Sequence, residues 1–226
     1  MKPKFSRAIG LRLHASPNLT TPAARVIRRE YSRVLLQAGA KDVLFIAQRL
    51  LREATALHRF MAYELIYCHR AALASLRAKD LERLGRGLDS WGAVDTFACY
   101  LSGPAWRARQ VPDTMIVKWA RARDLWRRRA ALVSTVPLNR KALGGAGNTK
   151  RTLRICGMLV KDREDMVVKA LSWALRELAK RDAKAVRGFI AKHENQLAAR
   201  VVREVRNKLR TGLKNPVMDH RGFSGG

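Results

Sequence analysis

A chain of 226 residues that is 47% hydrophobic carries enough apolar mass for a substantial core, which excludes a disordered basic tail. Its 46 Lys and Arg against 18 Asp and Glu leave a formal charge of +28, the balance of a protein that meets a polyanion. Charged residues, most often Arg or Lys, interrupt every apolar run well short of the length that crosses a bilayer, and three scattered cysteines, Cys68, Cys99 and Cys156, lack the spacing of a disulfide framework or a zinc site.

Residues 1–20 contain no acid, and the first is Glu30; Lys2, Lys4, Arg7 and Arg12 give this stretch the composition of a disordered basic arm or a transit peptide, and the arm is the reading adopted. Thr21-Pro22 is a helix start, a capping hydroxyl followed by proline, and from there to Leu213 helix formers at helical spacing predict an all-α protein. Further helices are expected near 41–53, 57–70, 78–87, 90–102, 112–122, 124–137, 151–161, 164–180, 183–193 and 198–213. Short connections between so many helices suit stacked pairs of the HEAT or armadillo kind, so residues 21–215 are expected to form one such domain. The long interruption is the glycine-rich stretch from Arg140 to Arg151, expected to be flexible: either a mobile phosphate-contacting loop or a solvated connector. Residues 216–226 are expected to be a disordered tail.

Charge clusters as well. From Pro104 to Arg163 there are fifteen Lys and Arg and three acids, Asp113, Asp124 and Asp162, so this stretch, including Arg127, Arg128, Lys150 and Arg151, should border the polyanion. On a helical wheel, Val94, Phe97, Ala98 and Leu101 point inward, leaving Trp91 and Asp95 together on one flank. In the helix at 164–180 the inward stripe is Val167, Leu171, Ala174 and Leu178, and Trp173 emerges on a basic face with Lys169, Arg176 and Lys180. Arg129 falls within the apolar stripe of Leu125, Leu132, Val133 and Val136, where a guanidinium needs an anion. Asp95 could supply it as a structural ion pair, or a DNA phosphate could, leaving Asp95 for chemistry.

Together the segments Trp91-x-x-x-Asp95, Trp126 to Leu132 and Lys169 to Lys180 resemble the AlkD-like DNA alkylation repair family, with Arg25 to Tyr31 and Arg59 to Leu65 as looser matches. The resemblance implies a curved solenoid of HEAT-like repeats with a concave basic groove, and excision of cationic alkylpurines such as 3-methyladenine and 7-methylguanine from duplex DNA. It implies that Asp95, Trp91 and Trp173 surround the lesion deoxyribose, that Arg129 belongs to the same cleft, that Tyr31 lies near the groove, and that the lesion stays stacked. Ser90, Gly92 and the segment 140–151 depart from the family pattern, which bears on groove shape and substrate range.

On this reading the protein is a cytoplasmic, nucleoid-associated monomer that uses no cofactor and no metal; His14, His58, His69, His193 and His220 are too scattered for a ligand set. The competing readings are a non-catalytic HEAT-like protein that binds branched or distorted DNA, and a solenoid that binds an acidic protein.

Overall fold

The computed structural model describes residues 2–15, 19–53 and 55–216, and among them there are helices and no strands. In chain order these are α1 Lys2–His14, α2 Thr21–Val34, α3 Ala40–Leu50, α4 Ala56–Tyr67, α5 Arg70–Ser75, α6 Ala78–Leu84, α7 Trp91–Phe97, α8 Gly103–Arg107, α9 Asp113–Ala120, α10 Leu125–Val133, α11 Val136–Asn139, α12 Thr149–Met158, α13 Asp165–Ala179, α14 Ala183–His193 and α15 Ala199–Thr211. Short polar side chains start several of them: Thr55, Asp124, Asn148 and Asp182 accept the backbone N–H of His58, Trp126, Arg151 and Ala185, using donors that the first turn leaves free. The cap of α2 is Thr20, one residue before the predicted Thr21, and it accepts from Ala23 N.

Helices α4, α7, α10, α13 and α15 pack in series, each against the next, while α2, α9, α12 and α14 cover them from the side. The expected stripes carry this packing. Val94, Phe97, Ala98 and Leu101 are fully buried, as are Leu132, Val133 and Val136, and Val167, Leu171, Ala174 and Leu178 are at most 1% exposed. Between α7 and α8 the chain makes a π turn at Ala98–Ser102. Gly103 follows it because nothing larger fits: a Cβ there would lie 2.6 Å from Pro137 Cγ and 2.8 Å from Ser134 O. No helix among the described residues is long and apolar enough to cross a membrane.

Two expectations need correction. Residues 2–14 of the supposed disordered arm are helix α1, because Phe5, Ile9 and Leu13 recur every four residues and form an apolar stripe; Ile9 and Leu13 are buried against α3, and Arg12 pairs with Glu30 of α2. The glycine-rich segment is pinned, not flexible. Arg107 donates to Pro137 O and Leu143 O, Arg181 donates to Asn139 O and Gly145 O, and Asn139 Oδ1 accepts Asn148 N. Gly144 adopts a left-handed φ of 79° over the Arg107 guanidinium, and a Cβ at Gly145 would meet three backbone atoms at 2.7 Å. The tail expected to be disordered lies, from residue 217 on, outside the described residues.

Candidate active site

The site is built where α7, α10 and α13 meet. Ser90 occupies the cap position of α7 in extended conformation, φ −144° and ψ 152°, without a side-chain capping bond, so Trp91 begins the helix and Asp95 follows one turn later. Their flank faces outward because the opposite side of the helix is spent on the core. Trp91 is 61% exposed, and the Asp95 side chain is 19% exposed.

Both Asp95 oxygens are held by Arg129: Nε donates to Oδ1 and Nη2 to Oδ2, each at 2.9 Å. The third nitrogen, Nη1, donates to Met166 O of α13, so one guanidinium ties three neighbouring helices together. The ion-pair alternative left open by the sequence is the one the free protein adopts. Arg129 is 5% exposed within its apolar layer, and the two-pronged bond offsets much of the cost of burying both charges. Burial pushes the Asp95 carboxyl above its usual range, and the hydrogen bonds and charge of Arg129 oppose that rise.

Trp91 and Asp95 line a cavity of about 510 Å³, with Arg25, Phe60, Thr96 and Tyr100 among its other walls. Gly92 sits between them, and a Cβ built on it would meet nothing within 4 Å, so this departure from the family pattern leaves the approach to the cavity open. Trp173 lies on α13, seven residues after Met166 and therefore on the same face of that helix, half-buried against the core; it does not line this cavity.

The basic residues singled out in the sequence divide into two groups. Arg128 binds Asp162 at 2.6 Å together with the carbonyls of Ala122 and Arg123. Arg151 binds Asp113 at 2.8 Å and Trp106 O at 3.0 Å while stacking on the Trp106 ring, and Arg127 lies over Trp119 beside Glu82. Arg176 reaches Ser172 Oγ at 3.2 Å with Glu204 at 3.9 Å, and burial lowers its pKa. These guanidinium groups are committed inside the molecule. Lys150, Lys169 and Lys180 keep exposed ammonium groups, the last two resting on Asp165 and Glu177 of their own helix, and Tyr31 is half-buried against the core.

One cluster escaped the sequence reading. Glu64, an almost fully buried carboxylate of α4, accepts Arg25 Nε at 2.9 Å and Arg28 Nε at 3.2 Å, and Arg25 Nη2 also donates to the Tyr100 hydroxyl at 2.9 Å. Tyr100, on the π turn, stacks on Tyr67 with ring centroids 4.7 Å apart. The available signal was a lone acid in the apolar helix α4 and two arginines three residues apart in α2.

Among the described residues no three His, Cys, Asp or Glu side chains come together as a metal site. Burial pushes the Cys99 thiol up to about 12 and that of Cys156 higher still, so neither is a ready nucleophile. Comparison with curated proteins gives no match. A sequence model of the family described as DNA alkylation repair enzyme matches residues 17–209, a span that includes α7, α10 and α13 and every residue of the Asp95 cleft. The chain belongs to the DNA alkylation repair enzyme family.

Proposed function

We propose that this protein is a DNA glycosylase that hydrolyses the N-glycosidic bond of cationic N3- or N7-alkylated purines in duplex DNA. The observation that carries the reading is the carboxylate of Asp95, clamped by Arg129 and set beside the exposed face of Trp91 on the wall of an open cavity. The serial packing of α4, α7, α10, α13 and α15 supports a HEAT-like solenoid as the scaffold, and Trp91, Asp95, Arg129 and Trp173 all fall on helices of that series.

The chemistry suits a site of this kind. An alkylated purine already carries positive charge, so when the C1′–N bond breaks the base leaves with both electrons as a neutral molecule and needs no general acid. Positive charge passes to the sugar. A carboxylate fixed in advance attracts that charge without reorganising, and its remaining lone pairs orient the water that adds to C1′ and accept the proton the water gives up, which then passes to solvent. The indole face of Trp91 adds quadrupole attraction of about 0.5 to 2 kcal/mol; Trp173 of α13, outside this cavity, would add a second face only where the bound sugar reaches α13. Arg129 fixes the carboxylate and keeps it ionised against the cost of burial. Exposed cations such as Lys150 would meet the phosphates, joined by Lys169 and Lys180 where they exchange Asp165 and Glu177 for the backbone.

The test is release of free 7-methylguanine or 3-methyladenine from methylated duplex by the purified protein, with Asp95→Asn as control. Equal release by the two proteins would remove Asp95 from the chemistry. The commitment of both Asp95 oxygens to Arg129 favours a second reading, a protein that binds distorted DNA without cutting it. It predicts tight, salt-sensitive binding and no free base.

A further inference from the structure

Arg25 stands on the wall of the same cavity as Asp95 and Trp91, and the surrounding chain holds it unusually firmly for an arginine that is 39% exposed. Glu64 grips its Nε, the Tyr100 hydroxyl accepts from Nη2, and the Phe60 ring lies under its carbon centre at 5.7 Å. Tyr100 is itself fixed by the stack on Tyr67. A guanidinium has five N–H donors, and among the described residues both of those on Nη1 have no partner.

Charge points the same way. Two guanidinium groups, Arg25 and Arg28, share the single carboxylate of Glu64, so the cluster carries one uncompensated positive charge. Arg28, at 16% exposure, is the more enclosed of the two, which leaves Arg25 as the cation presented to the cavity. The geometry points to Arg25 as a clamp for one backbone phosphodiester of the DNA, with Glu64 and Tyr100 as the residues that position it; this rests on the reading of Asp95 as the group that faces the sugar. Phosphodiesters flank every sugar, so a planar cation on the wall of the same cavity is placed to meet one of them when the sugar sits at Asp95. The pairing serves a second purpose: a phosphate brought near Asp95 meets like charge, and Arg25 offsets that repulsion while fixing the strand's register.

The experiment measures affinity for an unmodified duplex as a function of salt, for the wild type, Arg25→Gln, Arg25→Lys and Tyr100→Phe, each checked for native melting. Losing one phosphate contact lowers the slope of log affinity against log salt by about 0.9, which between about 50 and about 200 mM salt is about a 3.5-fold difference in how much affinity falls. Arg25→Gln should show that loss and raise KM for methylated duplex more than it lowers kcat. Arg25→Lys should keep the wild-type slope, because the charge survives, yet bind less tightly, because an ammonium cannot fork between Glu64 and Tyr100. Tyr100→Phe should also keep the slope and weaken binding several-fold. An unchanged slope in a folded Arg25→Gln protein overturns the clamp. The readout needs no catalysis: a wild type that releases no base but loses the slope in Arg25→Gln upholds the clamp and defeats the glycosylase reading.

Discussion

Replacing Asp95 by Asn removes a charge while keeping the side chain's shape, and the pair with Arg129 sets the size of the effect. With both N···O distances at 2.9 Å, a sugar cation arriving at the open side of the carboxylate meets an anion first and a cation behind it. At an effective dielectric of about 20, a charge about 4 Å away contributes about 4 kcal/mol and one about 8 Å away about 2 kcal/mol. The intact pair therefore lowers the barrier by about 2 kcal/mol, or about 30-fold in rate. Asp95→Asn forfeits the attraction and keeps the repulsion, a loss of about 4 kcal/mol and about a thousandfold in rate. Adding Arg129→Met removes the repulsion as well, so the double variant should be about 30-fold faster than Asp95→Asn alone. Single-turnover release of 7-methylguanine from methylated duplex reads all three proteins, and a gain in rate cannot come from damage to the fold. A double variant no faster than Asp95→Asn, or an Asp95→Asn protein within threefold of the wild type, would refute the electrostatic account.

Trp91→Ala should leave stability within about 0.5 kcal/mol, because the indole is 61% exposed, while slowing base release by about 2- to 30-fold; a large drop in melting temperature would assign Trp91 to packing instead. Base release should fail on the acid side at a pH above the ordinary carboxylate value of about 3.9, since the reaction needs ionised Asp95 and burial raises its pKa. For stability the sign is opposite: the raised carboxyl favours folding below its unfolded value, and that contribution disappears as pH rises through the folded value, so a pH series of kcat/KM and of melting should move apart. An acid limb at or below the ordinary value would contradict this. Gly145→Ala should destabilise by roughly 1 to 3 kcal/mol in urea unfolding, because its Cβ would sit 2.7 Å from Leu138 C and Pro137 O; an unchanged midpoint would mean the segment is not held as described.

What sequence periodicity conveys is which face of a helix is buried, and that was enough to point Trp91 and Asp95 outward and to place Arg129 in an apolar layer. It does not convey which distant element faces that layer. Asp95 and Arg129 are 34 residues apart, and Arg25 and Glu64 are 39 apart, so these pairs exist only once the helices are stacked in register. Composition misled in the glycine-rich segment for a similar reason: the arginines that fix it, Arg107 and Arg181, lie outside it on α8 and just after α13. The density of positive charge around Arg127, Arg128 and Arg151 was visible, but its use was not, since guanidinium groups bind backbone carbonyls and indole faces as well as phosphates. Helix α1 was hidden because its stripe is short and interleaved with arginine.

The widened turn at Ala98–Ser102 separates the part of the helix that bears Asp95 from the part that approaches α11 through Gly103. Deleting one residue there would restore ordinary winding and keep the flanking segments facing as they do, because four residues at about 100° each turn the chain about as far as the five of the wide turn. The carboxylate, lying upstream and anchored by Arg129, would keep its place while Tyr100 lost Arg25. On the proposed reading, a one-residue change at this point would alter how the strand is gripped and leave Asp95 where it stands.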